Sequence, residues 1–180
     1  ILILASEEAA RKHTSKPVYV LGSSSATDYL TFPAREDSTH FVVSAMAMEN
    51  ALRMAKISLE DIQIAELYDQ STAMEMISLE DLGFCKHGAA WRSIYASCQD
   101  YKGYYDIDGR KLFVNLNGGL KADGNPLGAT GGAQIFEIVK QLREEADERQ
   151  AKSDEKLKYG CALELEGFGT KGYVNILGID

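Results

Sequence analysis

Short apolar runs rich in β-branched residues alternate along this chain with segments whose apolar residues recur every three or four positions. That alternation limits the fold more than any other feature. Val18-Tyr19-Val20-Leu21-Gly22, Ile62 to Leu67, Leu112-Phe113-Val114-Asn115-Leu116, Tyr159 to Leu165 and Tyr173 to Leu177 read as strands. Phe41, Ala45, Met48, Leu52 and Ala55 share one face of a helix over 39–56, which Ser38 or Thr39 can cap. A second helix runs from Thr72 to Leu82 and stops at Gly83, and a third carries Ile135, Val139, Leu142 and Ala146 on one face. Such a β-α-β-α-β-α-β-β order implies parallel pairing, right-handed crossovers and helices on both faces of the sheet. The last two strands are close enough to make an antiparallel hairpin, with Gly167, Gly169 and Gly172 as its turn. The expected fold class is therefore α/β, a mixed five-stranded sheet in one domain over 1–180.

Composition narrows the function. The chain has 180 residues, of which 45% are apolar and 26% charged, which suits one globular domain. A net charge of −8 opposes a nucleic-acid surface, because phosphate binding needs clustered cations. No apolar run approaches the roughly 20 residues of a membrane span, and Ile1-Leu2-Ile3-Leu4 lacks the basic flank of a signal peptide. These four residues read instead as a strand entered from its interior, the start of a piece of something longer, followed by a short helix that Ser6 caps. Three cysteines, Cys85, Cys98 and Cys161, are too few for a disulfide framework and suit a reducing, cytoplasmic compartment. Residues 84–111 read as irregular and aromatic, with Trp91, Tyr95, Tyr101, Tyr104 and Tyr105.

Several segments carry candidate chemistry. Cys85, His87 and Cys98 resemble three metal ligands, but structural zinc wants four in paired spacings, so no metal is expected. Gly118 to Gly132 is denser in glycine than a helix lead-in requires and ends at a helix N-terminus, where free N–H groups attract an anion. It lacks the Gly-Lys-Ser/Thr ending of a phosphate-binding P-loop, and a tight packed turn is the plainer alternative. Glu66-Leu67-Tyr68-Asp69-Gln70-Ser71-Thr72 sets polar side chains past the C-terminal end of a strand, the edge where open α/β sheets bind ligands. Capping by Asp69 or Ser71 would also account for it. His13 and His40 read as surface residues, and Arg143 to Arg149 as a solvated helix face.

Together these segments resemble the C-terminal half of a thiolase, especially the archaeal and sterol-carrier-protein type. Asn117-Gly118-Gly119-Leu120-Lys121-Ala122-Asp123-Gly124-Asn125-Pro126-Leu127-Gly128-Ala129-Thr130-Gly131 is similar to the family's N-x-G-G-x-x-x-x-G-H-P-x-G-A-T-G loop. Glu66 to Ser71 occupies the place of its H-D-C-F segment, and Gly160-Cys161-Ala162 through Gly167 and Gly169 to Gly178 that of the closing hairpin. Glu80-Asp81-Leu82-Gly83-Phe84-Cys85 and Gln141 to Gln150 also look like family stretches, so the likeness covers essentially the whole chain in order.

The resemblance implies acyl transfer on acyl-CoA thioesters, as in acetyl-CoA acetyltransferases. Coenzyme A enters as part of the substrate, with no tightly bound cofactor. It implies Tyr68, Asp69, Gln70, Asn125 and Gly167 at the catalytic positions and Gly124, Gly128 and Gly131 at the binding loop. It also implies a missing N-terminal half that supplies the nucleophilic cysteine and an OB-fold partner protein; without that half, the apolar start at Ile1 to Leu4 and the Met/Ala-rich helix 39–56 should leave a patch that makes a homo-oligomer. Yet Asn125 stands where the family has the histidine of G-H-P, Tyr68 and Gln70 replace the histidine and cysteine of H-D-C-F, and Leu165 replaces the cysteine of C-x-G. An amide can donate to an oxyanion, a contribution of about 10²–10³ in rate, but it cannot take a proton from a thiol. Ordinary thiolase turnover should be severely impaired. Two other functions fit the same residues: a non-catalytic acyl-CoA-binding or assembly subunit, and a carbon–carbon (retro-aldol) lyase in which Tyr68 supplies a phenolic acid or base.

Overall fold

The computed structural model describes residues 1–37, 39–100 and 103–180, and for Phe32 the backbone alone. Ser38, one of the two expected caps, and Tyr101 lie outside the described residues. After a four-residue helix α1 (Glu7–Ala10), the elements are β1 (Tyr19–Thr27), α2 (Val42–Ala55), β2 (Ile64–Leu67), α3 (Thr72–Asp81), α4 (Ala90–Asp100), β3 (Tyr105–Ile107), β4 (Arg110–Val114), α5 (Gly119–Asp123), α6 (Thr130–Arg143), β5 (Tyr159–Glu166) and β6 (Lys171–Gly178).

The sheet has six strands in the order β1-β6-β5-β2-β4-β3, one more than the five expected. The extra strand, β3, pairs antiparallel with β4 inside the stretch read as irregular, where α4 also forms. β4, β2 and β5 are parallel, and β5 and β6 form the expected antiparallel hairpin. Ile1 to Leu4 form no strand and are exposed, because no neighbouring strand satisfies their backbone. β1 is no short buried strand. It extends through Ser23-Ser24-Ser25, pairs antiparallel with β6, and lies at the sheet edge with Val20 exposed.

Helices cover both faces. On one, Val43, Ala47, Met48 and Ala51 of α2 and Met74 and Leu79 of α3 pack against Ala65, Leu67, Cys161, Leu163, Val174 and Ile176. On the other, Ile138 and Leu142 of α6 pack against Ile64, Phe113, Ala162 and Leu177. The alternation of strand side chains between these two clusters follows from the period of two in an extended chain. Of the expected α2 face, Phe41 and Met48 are buried and Leu52 and Ala55 partly buried, Ala45 alone is exposed, and Val43, Ala47 and Ala51 also face the sheet. They let the helix backbone approach β1 so closely that a Cβ on Gly22 would collide with the Ala51 carbonyl. Thr39 does not cap α2. Phe41 stands at the cap position, and its N–H donates to Asp81 Oδ2 at 2.6 Å.

α6 ends at Arg143, where Glu144 turns left-handed with φ 62°, so 143–149 is not the helix face expected from its charges. Gln141 anchors this corner. Its Nε2 donates to Glu137 Oε1 at 3.0 Å and to the Arg149 carbonyl at 2.8 Å, and its Oε1 accepts from Ala151 N–H at 2.9 Å.

Candidate functional site

The parallel strands β2 and β5 are neighbours, with Leu67 beside Leu163, so their carboxyl ends open on the same edge of the sheet. The glycine-rich loop returns to that edge before entering α6. Its path is set by short polar bridges. Asn115, left-handed at φ 46°, accepts from Leu67 N–H at 2.7 Å, and Asn117 accepts from Gly119 N–H at 2.8 Å. Asp69 Oδ1 accepts from Leu120 N–H at 2.9 Å. Gly119 combines φ +61° with an Asp69 carboxylate lying where a Cβ would project, so only glycine fits.

Asn125 is held by three hydrogen bonds. Its Oδ1 accepts from Leu127 N–H at 3.0 Å and from the Thr130 hydroxyl at 3.2 Å, which turns its Nδ2 toward Tyr68 Oη at 3.1 Å. The backbone donor at Leu127 fixes which end of the amide faces the phenol. Tyr68, buried at 5% exposure, lines a cleft of about 540 Å³ with Leu127, Gly128, Gly131, Leu165, Gly167, Glu164, Glu166, Tyr173 and Asn175. A groove of similar size, about 530 Å³, lies at the opposite edge, where β2, β4 and β5 begin. Its walls are largely surface charges such as the Lys111–Asp154 pair.

The expected site residues divide accordingly. Tyr68 and Gly167 border the cleft, as do Gly128 and Gly131, and Asn125 reaches it through Tyr68. Asp69 and Gly124 border a separate space of about 70 Å³ with Glu66 and Asp123, and Asp69 is engaged with the α5 backbone. Gln70 is exposed. Ser71 caps α3, accepting from Met74 N–H at 3.2 Å. Glu66 does not lie past the strand. It is buried inside β2, where desolvation and the acids Glu137, Asp69 and Asp123 raise its pKa well above the ordinary carboxylate value.

Glu164 is not among the residues that the sequence alone brings forward. It lies on β5 between Leu163 and Leu165, half-buried, with Oε2 covered and without a hydrogen-bond partner among the described residues. Desolvation pushes its pKa up to about 7. The signal that could have found it is an acid at an interior position of an otherwise apolar strand.

Cys161 is buried in the core, its thiol pushed up to about 12 by desolvation, so it is inert where it stands. Among the described residues no group of three or more His, Cys, Asp or Glu is placed to hold a metal ion. His40 is not a free surface residue. Its Nδ1 lies 2.6 Å from Asp81 Oδ1, the hydrogen bond that chiefly raises its pKa, and its ring stacks at 4.1 Å on His87.

With this geometry the chain belongs to the thiolase C-terminal domain-like family, whose model matches residues 24–179. It is 38% identical over 97% of its length to the acetyl-CoA acetyltransferase of Methanothermobacter thermautotrophicus, covering 43% of that protein. It is 36% identical over 82% of its length to sterol carrier protein 2 of Oryctolagus cuniculus, covering 27% of it. The chain thus spans less than half the length of the curated relatives it matches. Among solved structures, an Ltp2-ChsH2(DUF35) aldolase superposes with a TM-score of 0.76 at 23% identity, over 97% of this chain and 42% of that one. The Bacillus anthracis acetyl-CoA acetyltransferase superposes with a TM-score of 0.61 at 20% identity, over 97% of this chain and 34% of that one. No helix of the described residues is long and apolar enough to cross a membrane.

Proposed function

We propose that this domain serves carbon–carbon bond cleavage of an acyl-CoA thioester by a retro-aldol route, with Tyr68 as the acid that replaces the family's histidine. The observation that carries this reading is the Asn125 amide donating to the Tyr68 phenol at the mouth of the cleft. Thiolysis needs a cysteine thiol activated by a base, and Asn125, which stands where the resemblance implies a histidine, has no atom that takes up a proton at neutral pH. Retro-aldol cleavage needs no covalent acyl-enzyme. The β-hydroxyl of a 3-hydroxyacyl thioester loses its proton, the Cα–Cβ bond breaks to give a carbonyl product, and the electron pair passes to the thioester as an enolate. A protonated phenol is suited to hydrogen-bond that developing oxygen. Asn125, donating to the phenol oxygen, orients the hydroxyl and strengthens it as a donor. The first-turn N–H groups of α6 beside Gly128 and Gly131 offer further positive potential to the same oxygen.

Acyl transfer, the activity named for the archaeal relatives, is the second reading and is favoured by their identity over nearly the whole chain. It requires a nucleophile from an N-terminal half. In either case the coenzyme A thioester is the substrate. The remaining thiolase half, a second copy of the chain and an OB-fold protein are the proposed partners, and the cytoplasm is the proposed compartment. One structural neighbour is described as an Ltp2-ChsH2(DUF35) aldolase, a name with a DUF35 component, which supports looking for a second protein component here.

The test is turnover of 3-hydroxyacyl-CoA by the complete polypeptide that contains this chain, compared with Tyr68→Phe. Release of acyl-CoA and a carbonyl compound, reduced about 10²–10³-fold in the variant, is the expected result. Cleavage that survives Tyr68→Phe unchanged overturns the reading, and tight acyl-CoA binding without cleavage favours a non-catalytic subunit.

A further inference from the structure

Retro-aldol cleavage needs a base for the β-hydroxyl proton; the Asn125 amide has no basic atom, and the Tyr68 hydroxyl is already assigned to the enolate oxygen. Two carboxylates line the Tyr68 cleft, Glu164 and Glu166. Glu166 is exposed at the strand end and paired with Lys171 at 3.1 Å. Glu164 differs in every respect: it is half-buried, points from the interior of β5, and has a covered oxygen with no hydrogen-bond partner among the described residues.

The strand register places it centrally. Leu67 pairs with Leu163 at the end of the β2–β5 ladder, and the residues that follow each of them, Tyr68 and Glu164, both line the cleft. Across β5 and β6, Glu164 pairs with Tyr173, which also lines the cleft. From the third side comes the first turn of α6, where Gly131 has no side chain: a Cβ there would lie 3.5 Å from Glu164 Cβ. The wall above the carboxyl is therefore thin.

We propose that Glu164 is the catalytic base and proton carrier of this cleft, an assignment that rests on the retro-aldol reading. Its carboxylate takes the β-hydroxyl proton as the Cα–Cβ bond breaks and the carbonyl product forms. The carboxylic acid so made then returns that proton to Cα of the enolate, so one proton is moved, atoms balance and no co-reactant is consumed. Tyr68 holds the enolate oxygen throughout.

A base that is half ionised near neutral pH suits this double duty, and burial pushes Glu164 up to about 7. The titratable groups nearby are Tyr68 beyond β2, Tyr173 on β6, and the Glu166–Lys171 pair at the strand end; the turn before α6 contributes the uncharged Leu127 and Gly128, and α6 itself Gly131. Among the described residues that line the cleft there is no cation to hold the carboxylate ionised.

The experiment is the pH profile of kcat/KM for 3-hydroxyacyl-CoA cleavage by the complete polypeptide, with Glu164→Gln and Tyr68→Phe alongside. The wild type should rise through a break near pH 7. Glu164→Gln, an isosteric change whose folding is checked by thermal melting, should fall at least about 100-fold and lose the break. Tyr68→Phe should fall in rate yet keep it. Turnover in which Glu164→Gln keeps both rate and break overturns the assignment while leaving the retro-aldol reading intact. No cleavage by the wild type overturns both.

Discussion

Asn125 Nδ2 lies 3.1 Å from Tyr68 Oη, a hydrogen bond between residues 57 positions apart that joins the glycine-rich loop to the carboxyl end of β2. The resemblance to thiolases implies proton-transferring residues at both positions, and neither is present. The two substitutions are complementary: an amide whose oxygen is already occupied by Leu127 and Thr130 offers its nitrogen, and a phenol accepts it. On the proposed function, the pair serves as an oriented donor.

This complementarity should register as coupling. In a double-mutant cycle of Tyr68→Phe and Asn125→Ala, the interaction energy for folding should be about 0.5–1.5 kcal/mol, that of one partly buried neutral hydrogen bond. Asn125→Ala alone should cost more than Tyr68→Phe alone, because it also leaves Leu127 N–H and the Thr130 hydroxyl without their acceptor. Chemical denaturation of the four variants measures both.

Gly119→Ala should destabilise the chain by about 1–3 kcal/mol and loosen the loop. Two costs add there, a φ of +61° and a methyl group driven into the Asp69 carboxylate. Gly128→Ala, where a Cβ meets open space, is the control and should change stability little. Thermal melts of the two variants separate a loop requirement from a general intolerance of side chains.

Glu164 should also leave a mark on stability. Its folded pKa of about 7 lies above the unfolded carboxyl value, so the folded chain holds the proton more tightly. The stability this gives is whole below about pH 4 and is lost as pH rises through about 7. Glu66 and Glu75, also raised by burial, act in the same direction, so the comparison must be with Glu164→Gln. Between pH 5 and pH 8 the wild type should lose about 1–2 kcal/mol more than that variant, a figure reduced from the full shift because the carboxyl is half open to water. Urea denaturation at the two pH values gives the difference.

What the sequence makes legible follows from how each element is held. β2 and most of β5 are buried on both faces and read as strands from their apolar runs, with Glu66 and Glu164 the acids inside them. β1 hides in Ser23-Ser24-Ser25, since an edge strand is held by backbone pairing to β6 and needs few apolar side chains. Ile1 to Leu4 mislead for the opposite reason, being apolar without a partner. In α2 the periodicity finds Phe41 and Met48, which are buried, but not Val43, Ala47 and Ala51, which turn inward where the helix approaches Gly22 closely. α4 escapes because Trp91 and Tyr95 are exposed and its buried positions are Ala90 and Ser97.

The site divides in the same way. The edge shared by Tyr68, Asn125 and Gly167 follows from strand order, but the Asn125–Tyr68 hydrogen bond cannot be read from spacing. Asp69 looks equivalent to Tyr68 by position, yet its side chain is engaged with the backbone at Leu120. Glu164 gives little sign of itself in the sequence because its burial depends on Gly131 and Tyr173, which approach it only once the sheet and α6 have formed.

The most direct test gives the complete polypeptide two substrates side by side: a 3-hydroxyacyl-CoA alone, and a 3-ketoacyl-CoA with free coenzyme A, with products followed by mass spectrometry. The arrangement of Tyr68, Asn125 and Glu164 predicts that the hydroxyacyl thioester is split into a carbonyl compound and a shortened acyl-CoA, while thiolysis of the ketoacyl thioester is slower by at least about 10²-fold, the contribution of general acid–base catalysis that Asn125 cannot supply. Efficient thiolysis with no cleavage of the hydroxyacyl substrate would contradict it.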